Sequence, residues 1–148
     1  MIVPDKLSAL IVDDNAYARA AASATLRKLG LTNIVEVDGG AMAVGSLLAN
    51  RYDVVLLDWY MPEMNGAALL QVMRDPRFGA NGAAPVIVMT AYPNRETIAR
   101  ARQLGSTEVL TKPFTAAQVG SVLGRLLPHG WDLPPDAVSG DAQARIFL

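Results

Sequence analysis

The chain has no cysteine and a single histidine, His129, among its 148 residues. Disulfides and thiolate metal sites are excluded, and one imidazole cannot form a histidine metal cluster or a phosphorelay by itself. Charge of one sign is missing too. The 13 Lys and Arg against 14 Asp and Glu leave a formal net charge of -1, which argues against nucleic-acid binding through global charge. Long hydrophobic runs are absent, since the apolar stretches are short and interrupted, so no membrane-spanning helix is expected. The opening residues Met1 to Lys6 lack the basic-then-apolar order of a signal peptide, which makes a cytoplasmic location the expectation. What is present suits a folded domain: 51% of residues are apolar and 18% charged. The length corresponds to about one domain and can bury a core without covalent staples.

Apolar runs bounded by turn signals alternate with helix-forming segments. Strands are expected over 7–12, 33–37, 52–58, 85–90 and 108–111, and helices over 16–29, 41–50, 66–73, 95–104 and 116–127. Asp13, Asp14 or Asn15 can cap the first helix, and Gly30 and Gly105 stop the first and fourth. Thr115 is the expected cap of the last helix, and Met42, Leu47 and Leu48 are expected to face inward from the second. Residues 74–85 read as a loop. The third strand is continuously apolar from Val54 to Leu57, as expected of a parallel strand covered on both faces. This βα alternation implies an α/β fold, a doubly wound parallel sheet with helices on both sides. Residues 1–127 are the expected domain. Residues 128–148 change character and read as a C-terminal tail without an output domain, ending in the apolar Ile146, Phe147 and Leu148.

Open parallel sheets bind ligands at the carboxyl ends of their strands. There the sequence places Asp13 and Asp14, then Asp58, Thr90 and Lys112. Converging carboxylates repel unless a cation joins them, and hard oxygen ligands suit Mg²⁺. An Asp carboxylate is also a feasible nucleophile toward phosphorus, with Lys and Thr able to stabilise phosphoryl oxygens. Each residue alone has a simpler reading: a cap for Asp13-Asp14, a loop-starting Asp58, a strand-end Thr90, a solvated Lys112. Those readings do not explain all of them at successive strand ends.

Four stretches carry a family resemblance: Val12-Asp13-Asp14-Asn15, Leu57-Asp58-Trp59-Tyr60-Met61-Pro62-Glu63-Met64-Asn65-Gly66, Met89-Thr90-Ala91 and Thr111-Lys112-Pro113-Phe114. In this order they resemble the receiver domain of bacterial response regulators, of the CheY-like, single-domain type. The resemblance spans about residues 6–127 and implies a flavodoxin-like three-layer sandwich with strand order 2-1-3-4-5. It implies Asp58 as phosphoacceptor, with Thr90 as switch hydroxyl and Lys112 as phosphate-pairing lysine. It implies Mg²⁺ as cofactor, held directly by Asp14, by Asp13 largely through water, and by Asp58 and the backbone carbonyl of Tyr60. Lys112-Pro113 resembles the family's cis peptide, and Gly66 fits a tight turn into the third helix.

The implied function is a two-component or phosphorelay response regulator. A histidine kinase or histidine phosphotransfer protein would supply the phosphoryl group, docking beside the first helix with its Ala18, Ala21 and Ala22. A downstream protein would bind the face made by the fourth helix, fifth strand and fifth helix, where Arg95, Arg100 and Arg102 lie. No direct nucleic-acid or membrane contact is implied, and the protein would be a monomer or a phosphorylation-dependent homodimer. It would not be an enzyme beyond autocatalytic phosphotransfer and autodephosphorylation. Val109 stands where the family often has an aromatic, so either Val109 packs without swinging or Tyr92 takes over part of that switch. Tyr60 and Tyr92, each two residues past a site residue, are candidates for excluding water from an acyl phosphate. The alternatives are a degenerate receiver acting as an interaction adaptor and an Asp-nucleophile phosphatase. The haloacid-dehalogenase-like group wants an acid two residues after the nucleophile, where this chain has Tyr60. A flavodoxin-like cofactor binder would want a glycine-rich loop after the first strand, which is lacking.

Overall fold

Five apolar runs become strands in the computed structural model, which describes residues 4–126. They are β1 (Ser8–Val12), β2 (Asn33–Val37), β3 (Val54–Asp58), β4 (Val86–Thr90) and β5 (Glu108–Thr111). The helices between and after them are α1 (Ala16–Lys28), α2 (Gly40–Ala49), α3 (Gly66–Arg74), α4 (Arg95–Gln103) and α5 (Ala116–Leu126). All strand pairs are parallel, in the order β2-β1-β3-β4-β5. The predicted tail, 128–148, lies outside the described residues.

The strands alternate their side chains between two cores, as a two-residue period requires. Ala9, Ile11, Leu56, Ile87 and Met89 pack with Ala22 and Leu26 of α1 and Val119 and Leu123 of α5. Leu10, Val12, Val55, Leu57 and Val88 pack on the other face with α2, α3 and α4. Both faces being covered is why β3 and β4 are buried along their whole length. Burying each such Leu or Ile contributes about 1.5–3 kcal/mol.

Local signals set the helix ends. Asn15, Asn65 and Asn94 each accept a hydrogen bond from the amide three residues on, at the starts of α1, α3 and α4. Thr115 and Gln118 bond reciprocally at the start of α5, a capping box. Gly30 and Gly105 hold positive φ after α1 and α4, and each is followed by a paired Schellman closure.

Two expectations are corrected. Met42 and Leu48 do not face inward: they are 57% and 64% exposed, and α2 instead buries Gly40, Ala43 and Leu47. Ala43 and Leu47 sit four apart on one face, and once they meet the sheet, Met42 and Leu48 are turned outward. Residues 74–85 are not wholly irregular either. A 3₁₀ turn at Ala80–Ala83 buries Asn81, whose side chain donates to the carbonyls of Leu47 and Asn50 and accepts from the Tyr52 amide.

Candidate functional site

The parallel sheet delivers four of its strand ends to one edge, and the polar residues are concentrated there. Asp13 directly follows β1, Asp58 ends β3, Thr90 ends β4 and Lys112 follows β5. Asp13 and Thr90 are fully buried, Asp58 nearly so, and Asp14 is exposed. One carboxylate oxygen from each of Asp13, Asp14 and Asp58 lies within 4.8 Å of the others. The Lys112 ammonium donates to Asp13 Oδ2 at 2.8 Å and to Asp58 Oδ1 at 3.2 Å. The Lys112-Pro113 peptide is cis. The side chains of Asp13, Asp14, Asp58 and Lys112 therefore converge, Thr90 stands at the neighbouring strand end, and the Tyr60 hydroxyl pairs with Thr97 Oγ1 at 3.1 Å.

The β1–α1 loop is locked by backbone-directed bonds. Asp13 Oδ1 accepts from the Asn15 amide, and Arg19 donates to the Asp13 carbonyl at 2.7 Å. On the β3 side, the amide of Gly66 donates to the carbonyl of Trp59. A Cβ at Gly66 would come within 2.7 Å of the Asp58 carbonyl oxygen and 2.9 Å of Trp59 Cα. Only glycine lets α3 begin this close to the acceptor candidate.

The electrostatics are strained in one direction. Burial, then the neighbouring Asp13 carboxylate, raise the Asp58 pKa to about 6 although Lys112 pulls the other way. Burial opposes the charge on Lys112, but its bonds to Asp13 and Asp58 outweigh that and raise its pKa. Three clustered carboxylates face one ammonium, so the site keeps an excess of negative charge. Hard oxygen donors, one of them open to solvent, fit a small divalent cation that keeps part of its water shell.

Tyr92 donates its amide to Thr90 Oγ1 at 3.0 Å, and its ring meets that of Tyr60 edge-on, with centroids 6.1 Å apart. Val109 is half-buried and packed against the α3–α4 side of the core. Thr97 was missed by sequence reasoning. Its signal was faint: a polar residue three positions after the Asn94 cap.

The family comparison agrees with this geometry. Residues 9–123 match the response regulator receiver domain. The chain is 40% identical over 108 residues to the chemotaxis protein CheY of Pseudomonas aeruginosa, covering 72% of this chain and 85% of that one. It is 36% identical over 125 residues to CheY-3 of Vibrio cholerae, covering 84% and 95%. Among solved structures, Vibrio cholerae CheY4 superposes with a TM-score of 0.74 at 26% identity, over 82% of this chain and 98% of that one. A receiver domain from a Pseudomonas aeruginosa sensor histidine kinase, with a magnesium ion coordinated in its active-site cleft, gives 0.73 at 29% identity, over 81% and 96%. The chain belongs to the response regulator receiver family. It is a CheY-like receiver, a module of two-component signalling.

Proposed function

We propose that this receiver accepts a phosphoryl group on Asp58 from a histidine kinase or histidine phosphotransfer protein and so switches a protein-binding surface. The bond from phosphorus to the donor's imidazole nitrogen breaks as one forms to an Asp58 carboxylate oxygen, and the nitrogen keeps the electron pair. The observation that carries this reading is the Lys112 ammonium bridging Asp13 and Asp58 at the edge where Asp14 also converges. Lys112 then pairs with one phosphoryl oxygen and the Thr90 hydroxyl donates to another. Asp13, Asp14, Asp58 and the Tyr60 backbone carbonyl would hold Mg²⁺. When bound, the ion neutralises charge on the phosphoryl oxygens.

The donor docks beside α1. There a cavity of about 170 Å³ is lined by Ala18, Ala21, Ala22 and Thr25, with Lys112 and Phe114 opposite. The output face is α4–β5–α5, where Arg95, Arg100 and Arg102 are exposed. The reading takes residues 1–127 as the receiver unit, with 128–148 its appendage, acting in the cytoplasm. Among the described residues no helix is long and apolar enough to cross a membrane. Chemistry stops at phosphotransfer and autodephosphorylation, because position 60 offers a tyrosine where an Asp-nucleophile phosphatase would need an acid.

Incubation with Mg²⁺ and acetyl phosphate should add one phosphoryl group by intact mass, and Asp58→Ala should abolish it. Trp59, buried next to Asp58, should report both metal binding and phosphorylation by fluorescence. An unmodified mass under these conditions would mean an adaptor that works without phosphorylation. The edge-to-face Tyr60–Tyr92 pair supports a long-lived acyl phosphate, so Tyr60→Asn should speed autodephosphorylation severalfold. An unchanged rate removes water exclusion from the account.

A further inference from the structure

α4 is held to the domain by very little. Of its nine residues only Thr97 and Ala101 are buried, and its outer surface carries three exposed arginines. Thr97 is the polar member of that pair, and its side chain is not spent on its own helix. Its amide donates to the Asn94 cap, while its hydroxyl pairs with the Tyr60 hydroxyl at 3.1 Å. Tyr60 lies on the loop leaving Asp58 and is 37 residues from Thr97 in sequence. Its ring is braced by Tyr92, whose amide donates to Thr90. The carbonyl of Tyr92 in turn accepts from Asn94, the cap of α4.

These contacts form a chain: Thr90 to Tyr92, Tyr92 to Tyr60, Tyr60 to Thr97 at the first turn of α4. The loop after the acceptor and the loop after the switch hydroxyl meet on one helical turn. On β5, by contrast, half-buried Val109 packs against the core, and its side chain has neither a polar atom nor a long lever to carry a displacement. From this geometry we infer that Thr97 is a positioning residue through which the acceptor loop moves α4, with the Tyr60 hydroxyl as the link. A displacement of Thr90 toward a phosphoryl group disturbs its bond with the Tyr92 amide. The Tyr60–Thr97 pair converts that disturbance into a shift of α4. This rests on the reading of Asp58 as acceptor.

The test is amide hydrogen exchange across residues 95–103, with and without acetyl phosphate and Mg²⁺, alongside intact mass on the same samples. In the wild-type chain, phosphorylation should change exchange in α4 by at least about threefold. Thr97→Val replaces the hydroxyl with a methyl group of similar size and should be phosphorylated to the same extent, with the α4 response reduced to the noise. Thr97→Ser restores a hydroxyl and should restore the response. Tyr60→Phe, compared at its own measured level of phosphorylation, should lose the response as Thr97→Val does, and the double variant should lose no more. A wild-type α4 response in phosphorylated Thr97→Val overturns the inference, as does its failure to return in Thr97→Ser. A wild-type sample with no phosphoryl adduct overturns the acceptor reading itself, and mass alone distinguishes that result.

Discussion

α3 and α4 are nine residues each, both begin at an asparagine cap, and both pack on the same face of the sheet. Their attachments differ. α3 buries Gly66, Leu69, Leu70 and Met73, whereas α4 buries one threonine and one alanine. The first is fixed by apolar mass against the sheet, the second by a small contact and a hydrogen bond. Displacing α3 would expose several large side chains at once. Displacing α4 would expose less: Ala101 and part of Ile98. A receiver needs both: a wall that fixes the acceptor and a neighbour that answers it.

Removing apolar mass from α3 should give the largest effect. Leu70→Ala should cost about 3 kcal/mol in denaturant unfolding, since a fully buried leucine leaves a cavity. A cost no larger than that of Thr97→Val would erase the distinction between the helices. Next comes the metal, which sharpens the comparison because its candidate ligands lie on the β1 and β3 edges and not on α4. Mg²⁺ at a hundredfold excess over its Kd should stabilise the chain by about 2.7 kcal/mol, read as a rise in Tm. It should change exchange in α4 less than phosphorylation does, because only the Tyr60 carbonyl links the ion to the loop that touches α4, and Asp13→Asn should blunt the stabilisation. An α4 response to Mg²⁺ alone as large as that to phosphorylation would make the metal, and not the phosphoryl group, the trigger.

The third prediction concerns a tie between the two far ends. Arg74, the last residue of α3, donates two hydrogen bonds to the Gly105 carbonyl just past α4 and one to the Gly82 carbonyl. No carboxylate accompanies it in these bonds, and burial lowers its pKa. Arg74→Met should cost about 2 kcal/mol. It should also raise exchange at the C-terminal end of α4 more than anywhere in α3. Equal loosening of both helices would mean that they move as one body.

Much of this was legible in the chain. The strands announced themselves because burial on both faces leaves continuous apolar runs, and the helix ends because caps are local chemistry. Asn15, Gly30, Gly105 and Thr115 each act within a few residues of their own position. Asp13, Asp14, Asp58, Thr90 and Lys112 were visible as polar residues at strand ends, and a parallel sheet has only one carboxyl edge on which to gather them. The facing of α2 was not legible. Met42 and Leu48 are as apolar as Leu47, and which of them turns inward depends on how the helix lies on the sheet.

The sequence by itself determined the order of elements, the edge where chemistry collects and the residues that collect there. Periodicity, capping and strand direction are properties of neighbouring residues. The tertiary structure alone decided that Asn81 would bind the end of α2, that Arg74 would reach Gly105, and that the Tyr60 hydroxyl would find Thr97. Those pairs are separated by about thirty residues, and nothing local distinguishes one tyrosine or threonine from another. Only the packing of helices on the sheet brings such side chains within bonding distance.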